Sequence, residues 1–82
     1  MFGYINKDKL MKTLNEEVRL QEQLGDTYRK LAHTHMEMKL SAKTEGDRQW
    51  CDCEWLKYTR WAEEADWKLV EAQTIYNMVK QM

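Results

Sequence analysis

The chain offers few places at which its backbone could turn. Among its 82 residues there is no proline, and glycine occurs only at Gly3, Gly25 and Gly46. Turns between short strands draw on Gly, Pro, Asn and Asp, so a sheet protein of this length would need more of them. The sequence therefore predicts one all-α domain over residues 1–82, built from long helices.

Two long helices are predicted, over about residues 7–43 and 48–81, and a short connection would make them an antiparallel hairpin. Asn6 is placed to cap the first helix, because its side-chain oxygen can accept a hydrogen bond from an early backbone N–H. Ile5 and Leu10 flank this cap as a hydrophobic staple.

The connection is expected within AKTEGDRQ, residues 42–49. We expect Gly46 to end the first helix in a left-handed conformation and Asp47 to cap the second helix. Gly25 is the other position at which the chain could break. An isolated glycine inside a helix costs only about 1 kcal/mol, so we expect a continuous first helix. The alternative is three helices with a break at Gly25.

The second helix carries a regular heptad seam of apolar and aromatic residues. A strict 3.5-residue repeat imposes a left-handed supercoil, and the three alanines in this seam allow close helix approach. The positions, spaced alternately by four and three, are Cys51, Trp55, Tyr58, Ala62, Ala65, Leu69, Ala72, Tyr76 and Val79.

The first helix has two overlapping runs of apolar residues that share Tyr28. Together they predict a change in the phase of the seam near Gly25. The first run is Met11, Leu14, Val18, Gln21, Gly25 and Tyr28, and the second is Leu24, Tyr28, Leu31, His35, Met38 and Ala42.

Many apolar side chains remain outside these seams. Trp50, Trp61 and Ile75 widen one side of the second helix's seam. Single exposed apolar residues are normal, but this number on a thin hairpin indicates a further layer. We therefore predict self-association, most simply of two hairpins into a four-helix bundle, with larger helical oligomers or a different partner protein as alternatives. The candidate interface residues are Trp50, Trp55, Tyr58, Trp61, Trp67 and Ile75.

Two histidines and two cysteines lie near the predicted loop, as His33-x-His35 and Cys51-x-Cys53. Imidazole and thiolate are the usual zinc ligands. Residues two apart on a helix point about 200° apart, so a metal site formed by His35 and Cys51 would have to be completed across an oligomer. We predict no metal or other cofactor, with Cys51 in the core, Cys53 and His33 outside, and His35 hydrogen-bonded in the seam to Tyr58.

The acidic residues do not form a complete catalytic pattern. Glu63 and Asp66 make one E-x-x-D pair on the second helix, but the first helix has no E-x-x-E to complete a magnesium site of the kind found in helical pyrophosphatases. The sequence has neither a P-loop nor a Gly-flanked serine. We predict that the protein is not an enzyme.

The charge balance limits the classes of partner. With 13 basic and 14 acidic residues, the chain lacks the excess of basic residues that is typical of nucleic-acid binders. No apolar run approaches the roughly 18 to 20 residues needed to cross a bilayer. The N-terminus is too short and too quickly charged for a secretory signal. We expect a cytoplasmic location, with neither nucleic acid nor membrane as partner.

The opening segment MFGYINKDKLMK resembles the starts of short proteins from prophages and mobile elements of gut bacteria, which begin Met-Phe-Gly, an apolar residue and then lysines. The resemblance covers about twelve residues and implies a phage-type accessory protein, without implying an activity. The predicted function is a non-enzymatic helical module that binds proteins, whether a second copy of itself or a host or phage protein. The alternative is a small-molecule or nucleotide binder, with its pocket at a subunit interface near Trp50, Tyr58 and Trp61.

Overall fold

The computed structural model describes residues 6–82 and consists of two long α-helices, α1 over Lys7–Ser41 and α2 over Glu45–Lys80. The helices pack side by side along their lengths, so the predicted antiparallel hairpin is confirmed. The molecule measures 61 × 19 × 15 Å. Neither helix contains an apolar stretch long enough to cross a membrane within the described residues.

Contacts between the helices fix their register. At the open end, Lys7 Nζ donates to the Lys80 carbonyl oxygen over 3.2 Å. Near the loop, Lys39 Nζ lies 2.7 Å from Asp52 Oδ1. The two contacts thus join the start of α1 to the end of α2 and the end of α1 to the first half of α2, as an antiparallel arrangement requires.

The start of α1 follows the prediction. Asn6 is extended, and its Oδ1 accepts the backbone N–H of Asp8 over 3.0 Å. The Asp8 carboxylate lies in the first turn, where it is favoured by the partial positive charge of the helix N-terminus. The predicted partner of Leu10 in the hydrophobic staple, Ile5, lies outside the described residues.

The connection differs from the prediction, because α2 begins at Glu45 rather than at about residue 48. Thr44 is the N-cap, and its hydroxyl oxygen accepts the backbone N–H of Asp47 over 3.1 Å. Gly46 lies inside the first turn of α2 with a negative φ. The expected roles of Gly46 as a left-handed stop and Asp47 as a cap were therefore wrong. Thr44 and Asp47 match the Thr-x-x-Asp pattern of a capping box, and this pattern determines where α2 starts.

Gly25 does not interrupt α1, so the alternative of three helices is excluded. The glycine is buried where the helices approach each other. A Cβ atom at this position would lie 3.0 Å from Nη2 of Arg29 and 3.4 Å from Oδ1 of Asp66. A side chain at this position would therefore require the Arg29 guanidinium to shift.

All nine predicted seam positions of α2 are buried or partly buried, so this seam is confirmed. In α1 the seam keeps one phase, and the predicted change of phase near Gly25 was wrong. Ala32 is buried in the seam, whereas Met38 is exposed beside it. The observed seam of α1 is Met11, Leu14, Val18, Gln21, Gly25, Tyr28, Ala32, His35, Lys39 and Ala42.

The centre of the hairpin consists mainly of small side chains. Among residues 6–82, no large side chain is fully buried. Small residues let the two helices approach closely, but they leave much large apolar surface in solvent. The buried residues are Gln21, Gly25, Ala32, Cys51, Ala62, Ala65, Ala72 and Val79.

Alanine substitutions at Gly25 and Gly46 test the close approach at Gly25, because only Gly25 has neighbouring side chains. We expect Gly46→Ala to raise the free energy of unfolding by about 0.5 to 1 kcal/mol, because alanine favours helix and a methyl group there meets nothing within 4 Å. The methyl group of Gly25→Ala must displace the Arg29 guanidinium. We expect Gly25→Ala to raise the free energy of unfolding by at least about 0.5 kcal/mol less than Gly46→Ala does. This difference is the scale of an exposed ion pair. Urea unfolding would measure both changes, and equal gains would contradict the close approach.

Candidate protein-interaction face

One group of large apolar side chains outside the seams lies on one side of the hairpin. On α1, Leu24, Leu31 and Met38 follow each other at seven-residue intervals, so they form one row beside the seam. On α2, Ile75 lies two heptads after Trp61 and occupies the same row. We call the surface formed by these two rows and the neighbouring tryptophan the apolar face: Leu24, Leu31, Met38, Trp50, Trp61 and Ile75.

Cavities show that the rows from the two helices lie on the same side. A cavity of about 200 Å³ is lined by Leu24 of α1 together with Trp61 and Lys68 of α2. A second cavity, of about 300 Å³, is lined by Met38 of α1 and Trp50 of α2. The apolar face therefore contains two recesses between the helices, each beside an exposed tryptophan.

Five rings form a continuous aromatic cluster in the loop-side half of the apolar face. Trp61 meets the Tyr28 ring at 5.5 Å and 65°, and the Tyr58 ring at 5.4 Å and 86°. The His35 ring lies 5.3 Å from that of Trp50 and 5.4 Å from that of Tyr58. The three edge-to-face pairs contribute about 0.5 to 1.5 kcal/mol each beyond their burial, whereas His35 and Tyr58 are tilted by 32°. The two exposed tryptophans are therefore held in place by residues of both helices.

His35 has a different hydrogen-bond partner from the one predicted. Its Nδ1 lies 2.7 Å from the backbone carbonyl oxygen of Leu31, one turn earlier in α1. Tyr58 contacts the imidazole through its ring instead. The predicted hydrogen bond to Tyr58 was wrong, because a backbone acceptor on the same helix satisfies this nitrogen.

A lysine lies over the aromatic cluster. Lys57 Nζ is 4.8 Å from the centre of the Tyr58 ring and 5.3 Å from that of Trp61, within cation–π range. The same ammonium lies 2.8 Å from Glu54 Oε2, and this hydrogen bond raises the pKa of Lys57. The lysine is therefore charged, with a carboxylate partner on its own helix.

The opposite side of the seam is polar. Arg29 Nη1 lies 3.0 Å from Asp66 Oδ1 across the helices, and Arg29 Nη2 lies 3.0 Å from Asp26 Oδ1. Hydrogen bonds to Asp26 and Asp66 raise the pKa of Arg29. The ion pair between Lys39 and Asp52 also lies on this side. We call this side, with Arg29, Lys39, Asp52 and Asp66, the polar face.

The six candidate interface residues lie in different parts of the hairpin. Trp50, Trp61 and Ile75 lie on the apolar face, with Tyr58 partly buried beneath it. Trp55 is partly buried in the seam and lines a cavity of about 360 Å³ beside Arg29 and Asp66 of the polar face. Trp67 is the most exposed tryptophan, at 74%, and lies six residues after Trp61 on a different side of α2.

Sequence reasoning missed the contribution of α1 to the apolar face. Leu24, Leu31 and Met38 were assigned to the seam, although they lie beside it. A seam of constant phase through Gly25 and Ala32 would have placed them correctly, because their seven-residue spacing is plain in the sequence.

The two cysteines are free, with Cys51 buried and Cys53 exposed. His33 is exposed, and its Nε2 lies 2.9 Å from Glu37 Oε1. Cys51 and Cys53 thus lie on different sides of α2, and His33 and His35 on different sides of α1, as the i,i+2 spacing predicts. Within residues 6–82 no three His, Cys, Asp or Glu side chains are grouped so that they could hold a metal ion.

Comparisons of the chain with protein-family models, with curated proteins and with solved structures found no match. Its function is therefore inferred from the two faces of the hairpin.

Proposed function

We propose that this protein is a non-enzymatic interaction module that binds proteins through the apolar face. The observation that carries this proposal is the grouping of exposed Trp50, Trp61 and Ile75 with Leu24, Leu31 and Met38 on one side of the hairpin, beside two recesses between the helices. Large contiguous apolar patches are rare on monomeric proteins and mark interaction surfaces. Tryptophan and tyrosine are also enriched among the residues that dominate binding energy.

The aromatic cluster supports this proposal because its rings are already ordered. Trp61 is held between Tyr28 and Tyr58, and Trp50 packs on His35. Immobilising a flexible side chain on binding costs about 0.5 to 1.5 kcal/mol, and much of that cost is avoided when the ring is held before the partner arrives.

The charges on the apolar face are compatible with covering it. Removing one member of a buried ion pair leaves an uncompensated charge that is strongly destabilising. Lys57 has Glu54 as its partner and two ring faces beneath it. A partner protein can therefore cover this region without having to supply an acidic group for the lysine.

The ring geometry favours a protein partner over the alternative of a nucleotide. A base would stack on an open ring face, but Trp61 meets both of its aromatic neighbours edge to face and has Lys57 over its ring. A thermal-shift screen with nucleotides tests this alternative. A reproducible shift that is lost on replacing Trp61 would contradict a purely protein-binding role.

Position-specific photo-crosslinking tests the proposal. A photoreactive amino acid would replace Ile75 on the apolar face or, as the matched control, Val70 on the same helix. Ile75 is 41% exposed and Val70 is 53% exposed. Accessibility alone would therefore give a higher yield of adducts from position 70. We expect covalent protein adducts in producing cells from position 75 and few from position 70. Absence of adducts from position 75, or equal yields from both positions, would contradict a role for the apolar face.

A further inference from the structure

We infer that the partner that covers the apolar face is a second copy of this chain, so that two hairpins form a four-helix bundle. This inference rests on the proposed function and specifies its partner. Four-helix bundles place the apolar faces of two antiparallel helix pairs against each other. The surface area, the charge and the shape of the hairpin each favour an identical partner.

The hairpin exposes more surface than a chain of its mass normally does. A folded monomer of 10.0 kDa exposes about 5,200 Å², whereas this chain exposes 6721 Å². The excess is therefore about 1,500 Å² per chain. A standard protein–protein interface buries about 800 Å² on each partner, and obligate dimers bury more. Pairing through one face would thus reduce this excess.

The charge of the chain does not oppose pairing of two copies. The 13 basic and 14 acidic residues give a formal net charge of −1, so two copies repel each other only weakly at long range. Lys57 and Glu54 already form an ion pair on the apolar face of each copy. Glu64 and Lys68 line the recess beside Trp61, so this part of each face carries charges of both signs.

The shape of the apolar face suits a symmetric pair. It carries projecting apolar side chains, among them Trp61 and Ile75, and it contains recesses of about 200 and 300 Å³ between the helices. In a two-fold dimer the same patch occurs on both subunits. Each copy can therefore place its projecting side chains toward the recesses of the other, as in knobs-into-holes packing.

Light scattering on the full-length protein across a concentration series tests this inference. We expect the wild-type mass to be twice the chain mass of 10.0 kDa. We expect Ile75→Lys to weaken the dimer at least about 100-fold in Kd, because a two-fold dimer carries the substitution twice. The matched control Val70→Lys, on the same helix but outside the apolar face, is expected to change Kd by less than about threefold, within the usual range of surface substitutions.

Circular dichroism of each variant shows whether its helices are intact. If lysine at position 75 unfolds the hairpin, Ile75→Ala and Val70→Ala give the same comparison, because alanine has the highest helix propensity. We expect Ile75→Ala to weaken the dimer about tenfold, the scale of an interface truncation, and Val70→Ala to leave it unchanged.

Three results would overturn the inference: a monomer up to about 100-fold above the lowest concentration tested, an oligomer larger than two chains, or equal weakening by the substitutions at positions 70 and 75. The proposed function fails in a different way. A monomer whose position 75 still crosslinks to another protein refutes pairing of two copies but leaves the interaction module standing. A dimer that forms no adduct from position 75 refutes the apolar face as the binding surface.

Discussion

Replacing Trp61 with alanine is expected to lower the free energy of unfolding by about 2 to 4 kcal/mol, because this ring joins the two helices. It packs against Tyr28 of α1 and against Tyr58 of α2, and Lys57 lies over it. Tryptophan-to-alanine changes at packed sites cost about 3 to 5 kcal/mol. The 40% exposure of Trp61 in the hairpin lowers the expected loss by about 1 kcal/mol relative to that range.

Trp67 provides the matched control, since it is the same residue type on the same helix but is 74% exposed. We expect Trp67→Ala to change stability by less than about 0.5 kcal/mol, as surface substitutions usually do. Urea unfolding followed by far-UV circular dichroism measures both variants without relying on the tryptophan signal. Protein concentration must be held constant, because oligomer stability depends on it. Equal losses at the two positions would show that the aromatic cluster contributes little to the hairpin.

The hairpin itself could be predicted because one helix has an unambiguous pattern. In α2, apolar or aromatic residues occupy every seam position from Cys51 to Val79, and the absence of proline leaves the helix uninterrupted. In α1, the seam includes the polar Gln21 and Lys39 and the small Gly25. The more hydrophobic residues lie beside it, so hydrophobicity alone predicts the wrong phase. Close packing of the two helices favours small residues in the seam. A search for periodic apolar residues does not detect this preference.

The loop was misplaced because two local signals compete within four residues. Glycine frequently ends a helix, which favours a stop at Gly46. Thr44 and Asp47, however, form a capping pattern that favours an earlier start of α2. In the structure the threonine side chain satisfies a backbone N–H at the start of α2. Gly46 then takes ordinary helical dihedral angles, since no left-handed residue is needed after Ala42 leaves α1 in an extended conformation.

The candidate site could be predicted only in part, because it depends on the register between two helices. The eleven-residue spacing of Trp50 and Trp61 places them almost in line on one side of α2. Their neighbours Leu24, Leu31 and Met38 come from α1, and no periodicity within one helix shows which residues of the other lie beside it. Cross-helix contacts, such as the ion pair between Arg29 and Asp66, determine that pairing.

The second large effect is expected from Ala65→Leu, which should lower the free energy of unfolding by about 3 kcal/mol. Ala65 is only 3% exposed. A Cβ on Gly25 would contact its neighbour Asp66, so the register places Ala65 level with Gly25. Leucine and alanine are both strong helix formers, and the substitution therefore tests the space between the helices. Overpacking usually costs about 1 to 3 kcal/mol, and the pairing of a glycine with an alanine leaves little room for adjustment.

Gln73→Leu is the control for the added side chain, because Gln73 is exposed on the same helix. We expect it to change stability by less than about 0.5 kcal/mol. Urea unfolding at constant protein concentration measures both variants. If Ala65→Leu instead stabilised the protein, the helices would have to be far enough apart at Gly25 to hold a leucine, and the small residues of the seam would not reflect close packing. A loss confined to Ala65→Leu would show that close approach of the helices selects the small residues at their centre. The bulky apolar residues are consequently left at the edge of the seam, where the apolar face is formed.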